Sequence, residues 1–177
     1  MLKYFKTALI LTIISGVCAL LIAGVNSFTS KVIAANEFAK KEAIYQEIFP
    51  EYDGEKTGLP IIEGFKSSYI LEKVEAKNSN GELIRYVYTV SGSNAYGEIE
   101  LLVGINADGT LESVQFLTNG QSFSTETENH VNGSYTSGLT STDVNNIDTA
   151  CGATYGAKLV KELVSAAFSD SQQGGGL

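Results

Sequence analysis

The sequence predicts an α+β fold, in which an N-terminal transmembrane helix precedes an antiparallel-sheet domain with flanking helices. Three observations predict it. No charged residue stands between Lys6 and Lys31, and residues 7–25 (TALILTIISGVCALLIAGV) are almost continuously apolar. Between residues 68 and 117, four runs rich in β-forming residues are separated by turn residues. Residues 155–168 then place Leu159, Val160, Leu163, Val164, Ala167 and Phe168 on one face of a helix. With the N-terminal segment set aside, the rest of the 177 residues makes one domain of ordinary size.

The apolar segment reads as a retained membrane anchor. As a helix, its 24 uncharged positions rise roughly 36 Å, against a hydrocarbon core of about 30 Å. Lys3 and Lys6 would also suit the basic region of a cleaved signal peptide. However, the apolar run exceeds the usual length of such a peptide, no small-x-small site closes it, and the pattern beyond stays helical. Val17 before Cys18 and apolar residues after it speak against a lipoprotein site. Lys3, Lys6 and the terminal amine are free of acid, whereas Lys31, Lys40 and Lys41 are interspersed with Glu37 and Glu42. By the positive-inside tendency the N-terminus faces the cytoplasm and the domain lies outside the cell membrane.

After the anchor, residues 32–49 keep a helical rhythm through Ile33, Phe38, Ile44, Ile48 and Phe49, so one long helix is expected to reach Pro50. Residues 51–64, with Gly54, Gly58, Pro60 and Gly64, read as a loop. Strands are expected over residues 68–76, 83–90, 97–105 and 111–117. Asn78-Ser79-Asn80-Gly81 and Ala107-Asp108-Gly109-Thr110 supply turns, and residues 91–94 break the second strand. Residues 118–146 are rich in Gly, Ser, Thr and Asn and are expected to be irregular, lining a site. A frayed polar tail is expected from Ser169 onward. The resulting division is 1–31 for the cytoplasmic N-terminus and anchor, 32–64 for the membrane-proximal helix and loop, 65–170 for the domain and 171–177 for a flexible tail.

Charge excludes one class of partner. All 20 acidic residues and only nine of the 12 basic ones lie beyond Lys31, which leaves the domain strongly acidic. Nucleic-acid affinity rests on Lys and Arg, so no nucleic-acid partner is expected. Cys18 in the span and Cys151 in the domain do not suggest a disulfide, and no Cys/His cluster suggests a metal. No Rossmann or phosphate-loop motif occurs, and the one histidine, His130, reads as a solvated loop residue without a paired nucleophile.

The stretch most suggestive of chemistry is Asp148-Thr149-Ala150-Cys151-Gly152-Ala153-Thr154, followed by Tyr155-Gly156-Ala157-Lys158. Small residues lead into a helix whose first N–H groups lack intrahelical partners and favour an anion such as phosphate. Thr154 reads equally as an ordinary cap. No Lys or Arg occurs from Tyr86 through Ala157, so cationic side chains there do not neutralise a free phosphate monoester. A phosphodiester, with a single charge, is better tolerated.

This stretch resembles the flavinylation motif Asp-x-x-Ser/Thr-Gly-Ala-Thr of a family of FMN-binding domains. The family includes the RnfG proteins of Rnf complexes and related subunits of sodium-pumping NADH:quinone reductases. The run from Tyr96 to Asn106, then Asp108-Gly109, is similar to the glycine-led strand and hairpin of the same family. The resemblance implies an FMN cofactor joined by a phosphoester to Thr154, the work of a dedicated flavin transferase. It implies further cofactor-binding roles for Gly152, Ala153, Asp148, Cys151 and Tyr155, with no catalytic residue and no metal ligand. It also implies partnership with the other membrane subunits of an Rnf-type, ion-translocating ferredoxin:NAD oxidoreductase. Cys151 stands where the family has Ser or Thr, and reads as a small packing residue. Asp148 either begins a turn or positions the threonine loop. The family loop Glu-Thr-Pro-Gly-Leu-Gly is replaced, within residues 119–139, by Glu126-Thr127-Glu128 and Ser137-Gly138-Leu139. Tyr96, Phe116, Phe123, Tyr135 and Tyr155 are the aromatics available to stack on a flavin ring. Two other readings stay open, a stand-alone FMN carrier for another electron-transfer chain and a pilin-like assembly protein.

Overall fold

Helix α1 runs from Leu2 to Ile48 without a break. The computed structural model describes residues 2–48, 67–77 and 80–174. Phe49, Pro50, the loop expected over residues 51–64, the turn residues Asn78 and Ser79, and the last three residues of the tail lie outside the described residues. Within α1, Tyr4–Ser27 is a 24-residue stretch long and apolar enough to cross a membrane. Two of its polar side chains turn back on the helix. Thr12 Oγ1 donates to the Ala8 carbonyl at 2.9 Å and Ser15 Oγ to the Thr12 carbonyl at 3.3 Å. Both hydroxyls thereby meet their needs without a partner outside the helix. The contacts divide the chain into two compact units, Met1–Lys40 and Lys41–Leu177.

The second unit holds an antiparallel sheet of four strands in sequence order: β1 (Ile70–Lys77), β2 (Leu83–Asn94), β3 (Gly97–Asn106) and β4 (Leu111–Asn119). Three helices follow, α2 (Ser124–Ser134), α3 (Ser141–Asn146) and α4 (Thr154–Gly174). One sheet face, built from Tyr88, Val90, Leu101, Val103 and their neighbours, packs against α4 side chains such as Leu163 and Phe168. On the opposite face Tyr45, from the last turns of α1, packs with Val74, Val87 and Leu102. Helices segregated against an antiparallel sheet make this an α+β domain, as expected.

Three local expectations are corrected. Strand β2 does not break at Ser91. Residues 91–94 stay in register with β3, from Ser91 opposite Glu100 to Asn94 opposite Gly97. Gly92 lets α4 rest there, because an added Cβ would lie 3.1 Å from both Leu159 and Leu163 side chains. Residues 118–146 are not irregular throughout. They extend β4 to Asn119 and then form α2 and α3. Helix α3 starts with a reciprocal capping box between Thr140 and Asp143. Finally, α4 continues through Ser169, Asp170 and Ser171 to Gly174. Asp170 is held by Lys73 at 3.0 Å and by the Tyr88 hydroxyl at 3.1 Å, and Ser171 is buried.

Candidate functional site

The turn at residues 148–153 is shaped by its own polar groups. Asp148 Oδ1 accepts from the Ala150 N–H at 2.8 Å, and the Cys151 N–H donates to the Thr149 carbonyl at 2.9 Å. Asp148 thus begins a turn and, through that turn, shapes the approach to the threonine. Ala153 accepts the first helical bond of α4, from the Ala157 N–H at 3.0 Å. A residue with no side-chain oxygen therefore occupies a position where Ser, Thr, Asn or Asp is favoured.

Thr154 opens α4, half-buried, with Oγ1 donating to the Cys151 carbonyl at 2.7 Å. It does not cap its helix, because its hydroxyl points back to the turn as a donor. Cys151, expected as a small packing residue, is half-buried. Its carbonyl, and not its thiol, makes the contact to Thr154.

Thr154 lines a cavity of about 250 Å³ together with Tyr96, Gln121, Phe123, Thr127, Gly152, Ala153, Tyr155 and Gly156. The volume is slightly below the roughly 300–1,000 Å³ of small-molecule sites. Three of these residues are exposed aromatics: Tyr96 at 42%, Phe123 at 55% and Tyr155 at 61%. The Tyr96 and Tyr155 rings stack with centroids 4.9 Å apart. No cationic side chain is among the lining residues. Lys158 is exposed on α4 outside the lining, and Lys161 donates to the Ile147 carbonyl at 3.0 Å.

The structure sorts the five candidate aromatics. Tyr96, Phe123 and Tyr155 meet at the cavity, whereas Tyr135 is buried in the core and Phe116 packs against it. Burial holds the Tyr135 phenol above its ordinary pKa, so it stays neutral. Of the motif residues, Gly152, Ala153, Thr154 and Tyr155 line the cavity; Asp148 and Cys151 shape the turn beside it. His130 lies on α2 rather than in a loop, half-buried with its Nε2 buried.

Sequence reasoning did not single out Gln121 or Asn94. Gln121 is buried, and its Nε2 donates to the Gly97 carbonyl at 2.6 Å and to Asn94 Oδ1 at 3.2 Å. Asn94 Nδ2 donates to the Tyr155 carbonyl at 3.2 Å. Thr127, part of the Glu-Thr-Glu segment that replaces the family loop, is fully buried against Gly156. A Cβ at Gly156 would lie 2.5 Å from Thr127 Oγ1. The Glu126 stem lies beside Gly152, 3.7 Å from where a Cβ would stand. The other replacement segment, Ser137-Gly138-Leu139, bonds instead to Leu111 at the start of β4.

Two regions of the chain match known families. Residues 1–48 match a family described as the RnfG N-terminal region, and residues 95–169 match the FMN-binding domain. The Na(+)-translocating ferredoxin:NAD(+) oxidoreductase complex of Acetobacterium woodii contains a subunit, designated G, that is 30% identical over 125 residues, which cover 66% of this chain. The aligned region spans 60% of that relative's length.

Proposed function

The chain belongs to the FMN-binding domain family of the RnfG type, and from that premise we propose a membrane-anchored electron carrier whose FMN is esterified to Thr154. The observation that supports this reading is that Thr154 lines an apolar cavity together with three exposed aromatic residues, Tyr96, Phe123 and Tyr155. The residues present fit the group. Tyr96, Phe123 and Tyr155 offer faces for a planar ring system, and Thr127 and Gln121 offer polar edges. The first-turn N–H groups of α4 and its dipole suit a singly charged phosphodiester, which needs no cationic side chain.

When bound, FMN supplies one- and two-electron transfer, chemistry that the side chains themselves lack. The protein's part is tether, position and electrostatics. Thr154 Oγ1 would hold the flavin phosphate as a phosphoester, formed in exchange for a phosphoanhydride bond of an activated flavin donor whose other phosphate would depart as the leaving group. The hydroxyl proton passes to a base of the flavin transferase. Thr154 is hydrogen-bonded to the neutral Cys151 carbonyl in this turn, which is a poor base, and this supports assigning the base to the transferase. Gly152 leaves the approach open on the solvent side, where it is exposed.

The 24-residue apolar stretch of α1 is the proposed anchor, with Lys3 and Lys6 in the cytoplasm and the FMN domain on the extracytoplasmic side. The partners are the other membrane subunits of an Rnf-type complex, which the name of the Acetobacterium woodii relative supports. The match over residues 95–169 favours a flavin carrier over a pilin-like assembly protein.

The test is intact mass after co-expression with a flavin transferase, wild type beside Thr154→Ala. Wild type is expected to gain one FMN residue and the variant none. A wild type without the added mass removes the ester from the proposal, and an adduct surviving in Thr154→Ala moves it to another residue.

A further inference from the structure

Two side-chain amides join three segments that are distant in sequence. Asn94 Oδ1 accepts from the Tyr96 N–H at 2.8 Å, and its Nδ2 donates to the Tyr155 carbonyl at 3.2 Å. Gln121 Nε2 donates to the Gly97 carbonyl at 2.6 Å and to Asn94 Oδ1. Backbone groups dictate both amide orientations. A peptide N–H can only donate, so it selects the oxygen of Asn94; a peptide carbonyl can only accept, so it selects the nitrogen of Gln121.

The relay therefore runs one way, from Gln121 to Asn94 to the first turn of α4. The segments it joins are already close. The Gly120 N–H donates to the Glu98 carbonyl at 2.8 Å and the Ser122 N–H to the Tyr96 carbonyl at 3.1 Å. A Cβ on Gly97, whose φ is +139°, would lie 2.1 Å from the Gly120 carbonyl oxygen.

We propose that Asn94 and Gln121 are positioning residues of the flavin site, fixing the Thr154 turn and the Tyr96–Tyr155 ring pair relative to each other; this rests on the flavin reading above. Asn94 reaches Thr154 through the next residue's carbonyl and reaches the ring pair through the Tyr96 N–H. Gln121, with both amide hydrogens engaged, keeps Asn94 in place and leaves its Oε1 on the Gly156 side of the cavity, 3.4 Å from where a Cβ would stand. The wall there presents acceptors. Thr127 Oγ1 also gives its hydrogen to a carbonyl, that of Phe123, at 2.9 Å. A ligand edge seated on this wall is expected to carry N–H or O–H donors.

The test uses the full chain co-expressed with a flavin transferase. Asn94→Asp keeps the acceptor for Tyr96 and Gln121 but sets a carboxylate oxygen against the Tyr155 carbonyl. Gln121→Glu likewise removes the donors to Asn94 and Gly97. The FMN acquired after a short induction, read by intact mass, is expected to fall by at least roughly 2- to 10-fold, the factor for one lost hydrogen bond of ordinary strength, and further in Gln121→Glu, which loses two. The near-UV circular dichroism of the unmodified protein is expected to change as the tyrosine pair loosens, and the visible dichroism of attached flavin to shift. Ser91→Ala, on the same strand, is expected to alter none of these. Variants with wild-type uptake and both spectra unchanged overturn the positioning role and leave the Thr154 ester standing. If wild type itself gains no FMN, the ester fails, and the near-UV spectra still decide whether the two amides hold the ring pair. Should Asn94→Asp fail to fold, Gln121→Glu decides alone.

Discussion

The two ends of α4 are built to opposite specifications. At its C-terminal end Phe168 is fully buried, Asp170 is bonded to Lys73 and Tyr88, and the Ser171 hydroxyl donates to the Phe168 carbonyl at 2.8 Å. Lys73 also lies 4.4 Å from the centre of the Tyr86 ring. At the N-terminal end the residues are small, Ala153 supplies no capping oxygen, and Tyr155 stands 61% exposed over a cavity. One helix thus joins a closed, charge-paired end to an open one. The buried and ion-paired contacts named here lie at the end of α4 opposite the residues proposed to hold the flavin.

Substitutions at each end put that contrast at risk. The largest effect is expected from Phe168→Ala, about 4 kcal/mol of destabilisation in chemical unfolding of the unmodified protein, from the cavity it leaves in the core. Asp170→Ala is expected to cost about 3 kcal/mol, because it strands the Lys73 ammonium, 7% exposed, without its carboxylate. The same cluster gives an alkaline signature. Burial first, and then the Asp170 charge, raise the Tyr88 pKa above its ordinary value of 10.0. The folded state therefore holds that proton more tightly than the unfolded chain. Its contribution is fully present below about pH 10 and is lost as the pH rises further, which alkaline denaturation curves of wild type and Tyr88→Phe will compare.

At the open end, Gly156→Ala is expected to destabilise by about 1 kcal/mol. The clash with Thr127 outweighs the gain in helix preference. Tyr155→Ala is expected to change stability by no more than about 0.5 kcal/mol, yet to alter the fluorescence of attached flavin. A large stability loss in Tyr155→Ala would erase the contrast between the ends.

Much of this was legible in the sequence, for identifiable reasons. Alternation in LIRYVYTV announced β2, and the six apolar positions between Leu159 and Phe168 announced α4. The motif around Thr154 was readable because it is contiguous. Ser91–Asn94 and helix α2 were not, since neither carries its own apolar signal. The former is held by register with β3, and the latter buries only Thr127 and Val131, one turn apart. The end of α4 looked like a tail because Ser169, Asp170 and Ser171 are polar, and only the fold brings Lys73 and Tyr88 to meet Asp170. Asn94 and Gln121 escaped notice for the same reason. Small amides in polar stretches carry no periodic signature, and their role exists only where three segments converge.

The bond from Asn94 to the Tyr155 carbonyl bears on the order in which the molecule is made. Its partners are 61 residues apart in the chain, while the hairpin of β2 and β3 closes through a turn of only two residues. Closing the long loop costs conformational entropy before its contacts repay it, so hairpins precede such pairings. On this argument the Asn94–Tyr155 contact is expected to form after the β2–β3 hairpin, an order that pulse-labelled hydrogen exchange during refolding checks. The flavin transferase proposed above would then meet a finished fold, whereas an unfinished chain would offer it only a threonine.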